Sequence, residues 1–166
     1  MSAATVRLVG NTIDPVGRLS YSNLSVGISC TASTLTAISN LIGGGYSAGR
    51  MILSTTDPDC MDPKNFKNNY FWFDRPDVLL SSDVVLTVAT NPTVGAADAN
   101  GNIYGEHTSC FDPADTPPTF RLGAGSPCAN RGLAGTRLDG SGLSLDVESK
   151  PRQLGSAVDI GCSERE

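Results

Sequence analysis

Short apolar segments recur along the chain at a fixed interval. Leu8-Val9-Gly10-Asn11-Thr12-Ile13, Ala37-Ile38-Ser39-Asn40-Leu41-Ile42 and Phe66-Lys67-Asn68-Asn69-Tyr70-Phe71 align with one another, and Asn11, Asn40 and Asn69 stand 29 residues apart. Two residues after each asparagine comes a large apolar side chain: Ile13, Ile42, Phe71. A period of this length suits either a pair of helices or a β-solenoid coil. The segments are rich in β-branched and aromatic residues, and Gly or Pro interrupts most helix-length windows, which favours strands. The expected unit is a coil of two or three short strands, stacked about 4.8 Å from the next. Equivalent residues then lie on one another. Asn11, Asn40 and Asn69 are expected to form a ladder at a bend, with Ile13, Ile42 and Phe71 as a column in the core.

Further strand candidates follow the asparagines: Ser25–Ser29 in the first coil, Arg50–Ser54 in the second, and Val78–Leu80 and Val84–Val88 in the third. After Asn91-Pro92 the period fades. The reading is one structural domain, with coils over 1–90, a long loop excursion over 91–119, and a final coil with a loop-rich cap over 120–166. Turn signals at Asn100-Gly101, Asp112-Pro113 and Pro117-Pro118 support the loop.

Composition narrows the class. Charged residues make up 17% of the 166, and Gly 18 plus Pro 10 is high for a helical protein. The net charge of −5, with no basic block, argues against nucleic-acid or anionic-membrane partners. No apolar run reaches the roughly 18 residues that span a bilayer, so no membrane insertion is expected. The start, Met1 to Thr5, runs directly into strand-like Val6-Arg7-Leu8-Val9, without the regions of a signal peptide. It reads as a start placed inside a longer protein.

The candidate chemistry is sparse. Asp57, Asp59 and Asp62 lie within six residues and are the candidates for a calcium site, although Pro58 and Pro63 favour reading the segment as an acidic turn. Tyr70-Phe71-Trp72-Phe73 is the aromatic cluster. Strand alternation sends Phe71 inwards with Ile13 and Ile42, and turns Tyr70 and Trp72 outwards as a platform for sugar rings, unless the 91–119 loop covers them. His107 has no nucleophile signature beside it, and Ser126 lacks the glycines of a nucleophile elbow. No catalytic residue is assigned and no cofactor is expected. The five cysteines, at 30, 60, 110, 128 and 162, form no CxxC pair, so zinc is disfavoured. Cys30 and Cys60 are nearly one repeat apart and are expected to join neighbouring coils as a disulfide.

The final third carries a more specific pattern. Phe120-Arg121-Leu122-Gly123-Ala124-Gly125-Ser126-Pro127-Cys128-Ala129-Asn130-Arg131-Gly132 is followed by Leu138-Asp139-Gly140, Pro151-Arg152, Gly155 and Val158-Asp159-Ile160-Gly161-Cys162-Ser163-Glu164. In order and rough spacing this resembles the end of bacterial surface proteins of the right-handed parallel β-helix group, related in shape to pectate lyases and polymorphic outer-membrane adhesins. Asn130-Arg131 and Cys162-Ser163 depart from that pattern, and Ser141–Lys150 looks like an insertion. The resemblance implies an all-β right-handed parallel β-helix in a secreted or cell-surface protein. Leu122, Leu138, Val158 and Ile160 would plug the last coil, Asp139 and Asp159 would act as turn or capping acceptors, and Cys128 would pair with Cys162 if the tail folds back. Cys110–Cys128 is the competing pair. Two functions remain: a non-catalytic structural or adhesive module contacting carbohydrate, or the C-terminal part of a polysaccharide lyase or hydrolase whose active coils lie upstream or around Asp57–Asp62. The first coil's edge, Thr5 to Ile13, is expected to be covered by a second copy, a neighbouring protein or upstream coils.

Overall fold

The computed structural model describes residues 4–13, 28–29, 33–43, 53–54, 60, 62–73, 95–106, 110–112, 121–134, 142 and 144–165. Among these, nine strands form: β1 (Ala4–Val9), β2 (Thr12–Ile13), β3 (Ile28–Ser29), β4 (Ser33–Ile38), β5 (Leu41–Gly43), β6 (Leu53–Ser54), β7 (Phe66–Lys67), β8 (Tyr70–Phe73) and β9 (Ile103–Glu106). The fold is all-β, and every named strand pair is parallel. One sheet runs β1-β4-β7, a second β2-β5-β8-β9, and a third β3-β6.

The register carries the repeat. Val9 lies opposite Ile38, Ile13 opposite Ile42, Ala37 opposite Phe66 and Ile42 opposite Phe71. The third sheet has a shorter offset, with Ile28 opposite Leu53. A strand, a bend and a second strand thus make one tier, and tiers stack in parallel.

Each bend is built alike. The residue before each ladder position has a positive φ: Gly10 at 62°, Ser39 at 56°, Asn68 at 51° and Gly101 at 77°. This left-handed step turns the chain from the first sheet into the second. Glycine and asparagine tolerate it, and Ser39 is held there by Leu133 N, which donates to its Oγ at 2.6 Å, and by Gly161 N, which donates to its carbonyl.

The stack has a fourth tier that the repeat spacing hides. Residues 91–119, expected as a loop, contain β9, which pairs with β8 through Tyr70–Ile103 and Phe71–Tyr104. The offset here is 33 residues, so four extra residues break the period without breaking the pairing. The Phe71 and Tyr104 rings stack with centroids 5.4 Å apart, an arrangement worth about 0.5–1.5 kcal/mol beyond burial.

Over Leu41–Gly43, Tyr70–Trp72 and Ile103–Gly105 both faces of the second sheet are buried. Ile42, Phe71 and Tyr104 form one column, and Leu41, Tyr70, Trp72 and Ile103 lie on the other side of the sheet. The latter cluster with Cys110, Phe111, Leu122, Cys128 and Ile160. The C-terminal segment is therefore a lateral cover and not the end plug expected from the sequence. Asn68 Nδ2 donates to the Arg131 carbonyl at 2.8 Å, Gly161 N to Ser39 O at 2.8 Å, and Cys162 N to Thr12 Oγ1 at 3.1 Å. The segment thus descends from the third tier to the first. The cause is the apolar outer column, which water would otherwise meet.

Candidate functional site

Among the described residues, asparagine amides link the tiers in a continuous ladder. Backbone N and side-chain Nδ2 of Asn11 both donate to Asn40 Oδ1 at 3.0 Å, and those of Asn40 both donate to Asn69 Oδ1 at 3.0 Å. Asn69 repeats the pattern onto Asn102 Oδ1, at 3.1 and 3.0 Å. The second Nδ2 proton reaches back to a strand carbonyl: Asn40 to Leu8 at 2.8 Å, Asn69 to Ala37 at 2.9 Å and Asn102 to Phe66 at 2.9 Å. Asn40, Asn69 and Asn102 are fully buried, so each amide is satisfied inside the protein, as a buried polar group must be.

Asp98 ends the series. Its carboxylate accepts from Asn102 N at 2.9 Å, from Asn102 Nδ2 at 3.1 Å, from Asn100 N at 2.8 Å and from the Tyr104 hydroxyl at 3.0 Å. Burial, reinforced by the charge of Asp98, pushes the Tyr104 hydroxyl well above the ordinary tyrosine range. Sequence reasoning missed Asn102 and Asp98. The usable signal was local: Gly101-Asn102-Ile103-Tyr104 repeats the bend-Asn-apolar pattern at the wrong interval.

Tyr70 and Trp72 are not an exposed sugar platform. They turn away from the Phe71 column as alternation requires, but only 1% and 3% of their surfaces reach solvent. The cover is Cys110–Phe111, Leu122, Cys128 and Ile160. Space for the rings comes from glycines: a Cβ on Gly43 would strike the Trp72 indole, and one on Gly105 the Tyr70 hydroxyl.

No family model, no curated protein and no solved structure matches the chain. The site therefore rests on its geometry alone.

The cysteines divide differently from the preferred expectation. Cys110 is joined to Cys128, with Cα atoms 6.1 Å apart, and Cys162 is free. The expected Cys128–Cys162 pair fails because Cys162 is drawn away to Thr12 of the first tier. Antiparallel Phe111–Leu122 pairing instead carries Cys110 towards Cys128, with Gly123 N donating to Cys110 O at 2.9 Å. Cys60 is disulfide-bonded. Its sulfur lies 3.0 Å from the Ser33 carbonyl oxygen, a close contact and not a hydrogen bond, since a bridged sulfur has no proton. Cys30 lies outside the described residues.

Of the calcium candidates, Asp57 and Asp59 lie outside the described residues, as do His107, Leu138, Asp139 and the strand candidates over 78–80 and 84–88. Asp62 pairs with Lys64, which holds its carboxyl below the usual range. Among the described residues no group of three acidic, His or Cys side chains could hold a metal ion.

The remaining polar chemistry sits in the C-terminal cover. Arg152 is buried; its Nη1 lies 3.1 Å from Glu164 Oε1, and its Nη2 donates to the Asp159 and Gly161 carbonyls. Asp159 accepts from Asn130 N at 2.5 Å and Arg165 N at 2.8 Å, which makes it a turn acceptor. Burial raises Glu164 to about 7 despite Arg152. Nearby, a cleft of about 250 Å³ is lined by Asp112, Arg121, Glu148, Lys150 and Arg165 among others. Arg121 Nε bonds Glu148 Oε1 at 2.8 Å and Lys150 lies 3.4 Å from Glu148 Oε2, which lowers the Glu148 carboxyl. Glu164 also lines this cleft, but it is 3% exposed and its carboxylate is engaged by Arg152 and by the Asp159 N–H. Arg121, Glu148 and Lys150 thus pair with one another at its surface.

Proposed function

We propose that this chain is a right-handed parallel β-helix module with a non-catalytic structural or adhesive role in a secreted or cell-surface protein. The asparagine ladder carries the reading. A stack of parallel tiers held by internal amide bonds is a rigid rod, and its conspicuous polar side chains are committed to stacking and not to chemistry. The Cys110–Cys128 bridge suits an oxidising compartment. The resemblance of residues 120–164 to the ends of bacterial surface β-helix proteins points the same way. Carbohydrate contact, if the module makes any, falls to the charged cleft around Arg121 and Glu148, because Tyr70 and Trp72 are covered.

The test has two arms. The intact protein is screened on immobilised acidic and neutral polysaccharides, and incubated with the same polymers in solution. Retention on a polymer without chain cleavage supports the adhesive reading, and neither retention nor cleavage supports the purely structural one. New reducing ends or unsaturated uronates would overturn both and favour a polysaccharide lyase or hydrolase.

A further inference from the structure

Three parts of the C-terminal cover meet at the charged cleft of about 250 Å³. One is the antiparallel pair around Phe111 and Leu122, where Asp112 N donates to Arg121 O at 3.0 Å. The second is the turn closed by Leu145 and Pro151, where Asp146 N donates to Lys150 O at 2.8 Å. The third holds Ser163, Glu164 and Arg165. Glu164 N donates to Asp146 Oδ2 at 3.0 Å and Arg165 N to Asp159 Oδ2 at 2.8 Å, which fixes this part against the turn. Arg121 Nε reaches Glu148 Oε1 at 2.8 Å and ties the first part to the second. The walls are thus held by bonds of the fold itself, so a ligand meets them already in place.

Two features of the cleft are not used by the fold. Ser163 borders it and is only 2% exposed, yet among the described residues no group hydrogen-bonds its hydroxyl. Buried hydroxyls are rarely left so, because losing water without a replacement bond costs free energy. The second feature is charge. Arg121, Lys150 and Arg165 line the cleft against the carboxylates of Asp112 and Glu148. The remaining carboxylate, Glu164, is offset by Arg152, 3.1 Å away. Among the described residues no carboxylate pairs with the Arg165 guanidinium. The cleft therefore carries one positive charge in excess, on a protein whose net charge is −5.

We propose that this cleft binds a small monoanionic carboxylate, with the Ser163 hydroxyl donating to one carboxylate oxygen and the Arg165 guanidinium pairing with the group. A guanidinium fork matches a carboxylate in both shape and charge. A metal cation would add to the excess charge, and a dianion would bring a second charge with no counterpart. At about 250 Å³ the cleft falls just short of the roughly 300–1,000 Å³ of sites for drug-sized ligands, so it takes one small acid or one acidic unit of a larger molecule. The site needs only the cleft, and stands whether or not the module adheres to a polymer.

Isothermal titration calorimetry on the intact protein tests it, with lactate as a free acid and glucuronate as an acid carried on a sugar ring. Glucose serves as the neutral comparison and sulfate as the dianion. Saturable binding of at least one of the two carboxylates is expected, with none of glucose and weaker binding of sulfate. Lactate alone would assign a free acid, glucuronate alone a sugar-borne one, and both together would show that the carboxylate suffices. Ser163→Ala should weaken binding about tenfold, the loss of one hydrogen bond to a charged group. Arg165→Gln should weaken it at least as much. Ser163→Ala removes a hydroxyl that no described group bonds, so its fold is expected to be intact, and circular dichroism checks both variants. No saturable binding of lactate or glucuronate, tighter binding of sulfate, equal binding of glucose, or binding that either substitution leaves unchanged would overturn the site. Retention on polysaccharides is read in a separate screen, so failure here leaves the structural or adhesive reading standing.

Discussion

A single amide at each bend does several jobs at once. Asn40 accepts two protons from Asn11, gives two to Asn69 and one to the Leu8 carbonyl. Asn40→Leu would strand groups on three residues in a buried site, at a cost of roughly 3 kcal/mol, whereas Asn11→Leu at the half-buried end should cost roughly 1 kcal/mol. Urea denaturation of the two variants measures the difference, and equal costs would mean the ladder is not cooperative. Asp98→Ala belongs with the first. It removes the acceptor for Asn102 and Tyr104, and a loss of roughly 2 kcal/mol is expected in the same assay.

Among elements, fit is set by what has no side chain. Gly43 faces the Trp72 indole across adjacent strands. Gly43→Ala should cost roughly 1–3 kcal/mol through overpacking. Trp72 is the one tryptophan of the chain, so its emission should shift to the red as the ring is displaced. The C-terminal cover adds a pH dependence. Glu164 titrates from 4.5 in the unfolded chain to about 7 in the folded protein. The folded state thus holds this proton more tightly, and the resulting stability is full below about 4.5 and lost as pH rises through about 7. Melting temperature should fall by several degrees between about pH 5 and 8, for roughly 2 kcal/mol after solvent screening. That window lies above the range in which the lowered carboxyls of Asp62 and Glu148 titrate. Glu164→Gln should flatten the dependence, and an unchanged slope would assign it elsewhere.

For the whole molecule, the covering layer is tied down covalently. Cys110–Cys128 closes a loop with a sequence separation of 18. Reduction should cost roughly 3 kcal/mol by releasing that loop in the unfolded chain. Because the bridge lies against Tyr70 and Trp72, loosening should reach tryptophan fluorescence before the ladder unfolds. Peptide mapping of the unreduced protein should find Cys110 linked to Cys128 and Cys162 open to alkylation.

The repeat was legible because stacking demands it. A ladder works only if the same amide returns at the same place, so Asn11, Asn40 and Asn69 at equal spacing announced parallel tiers. Alternation also told which way Tyr70 and Trp72 point, since side-chain direction in a strand is local geometry. What covers those rings was not local. It depends on Phe111, Leu122 and Ile160 arriving from distant parts of the chain, and no spacing rule encodes that meeting. Asn102 escaped for a related reason: it follows Asn69 by 33 residues and not 29, so the period fails where the hydrogen bonds do not. The choice of Cys110 over Cys162 as partner of Cys128 was likewise tertiary, because disulfides follow proximity, and proximity here is set by how the C-terminal layer descends the side of the stack.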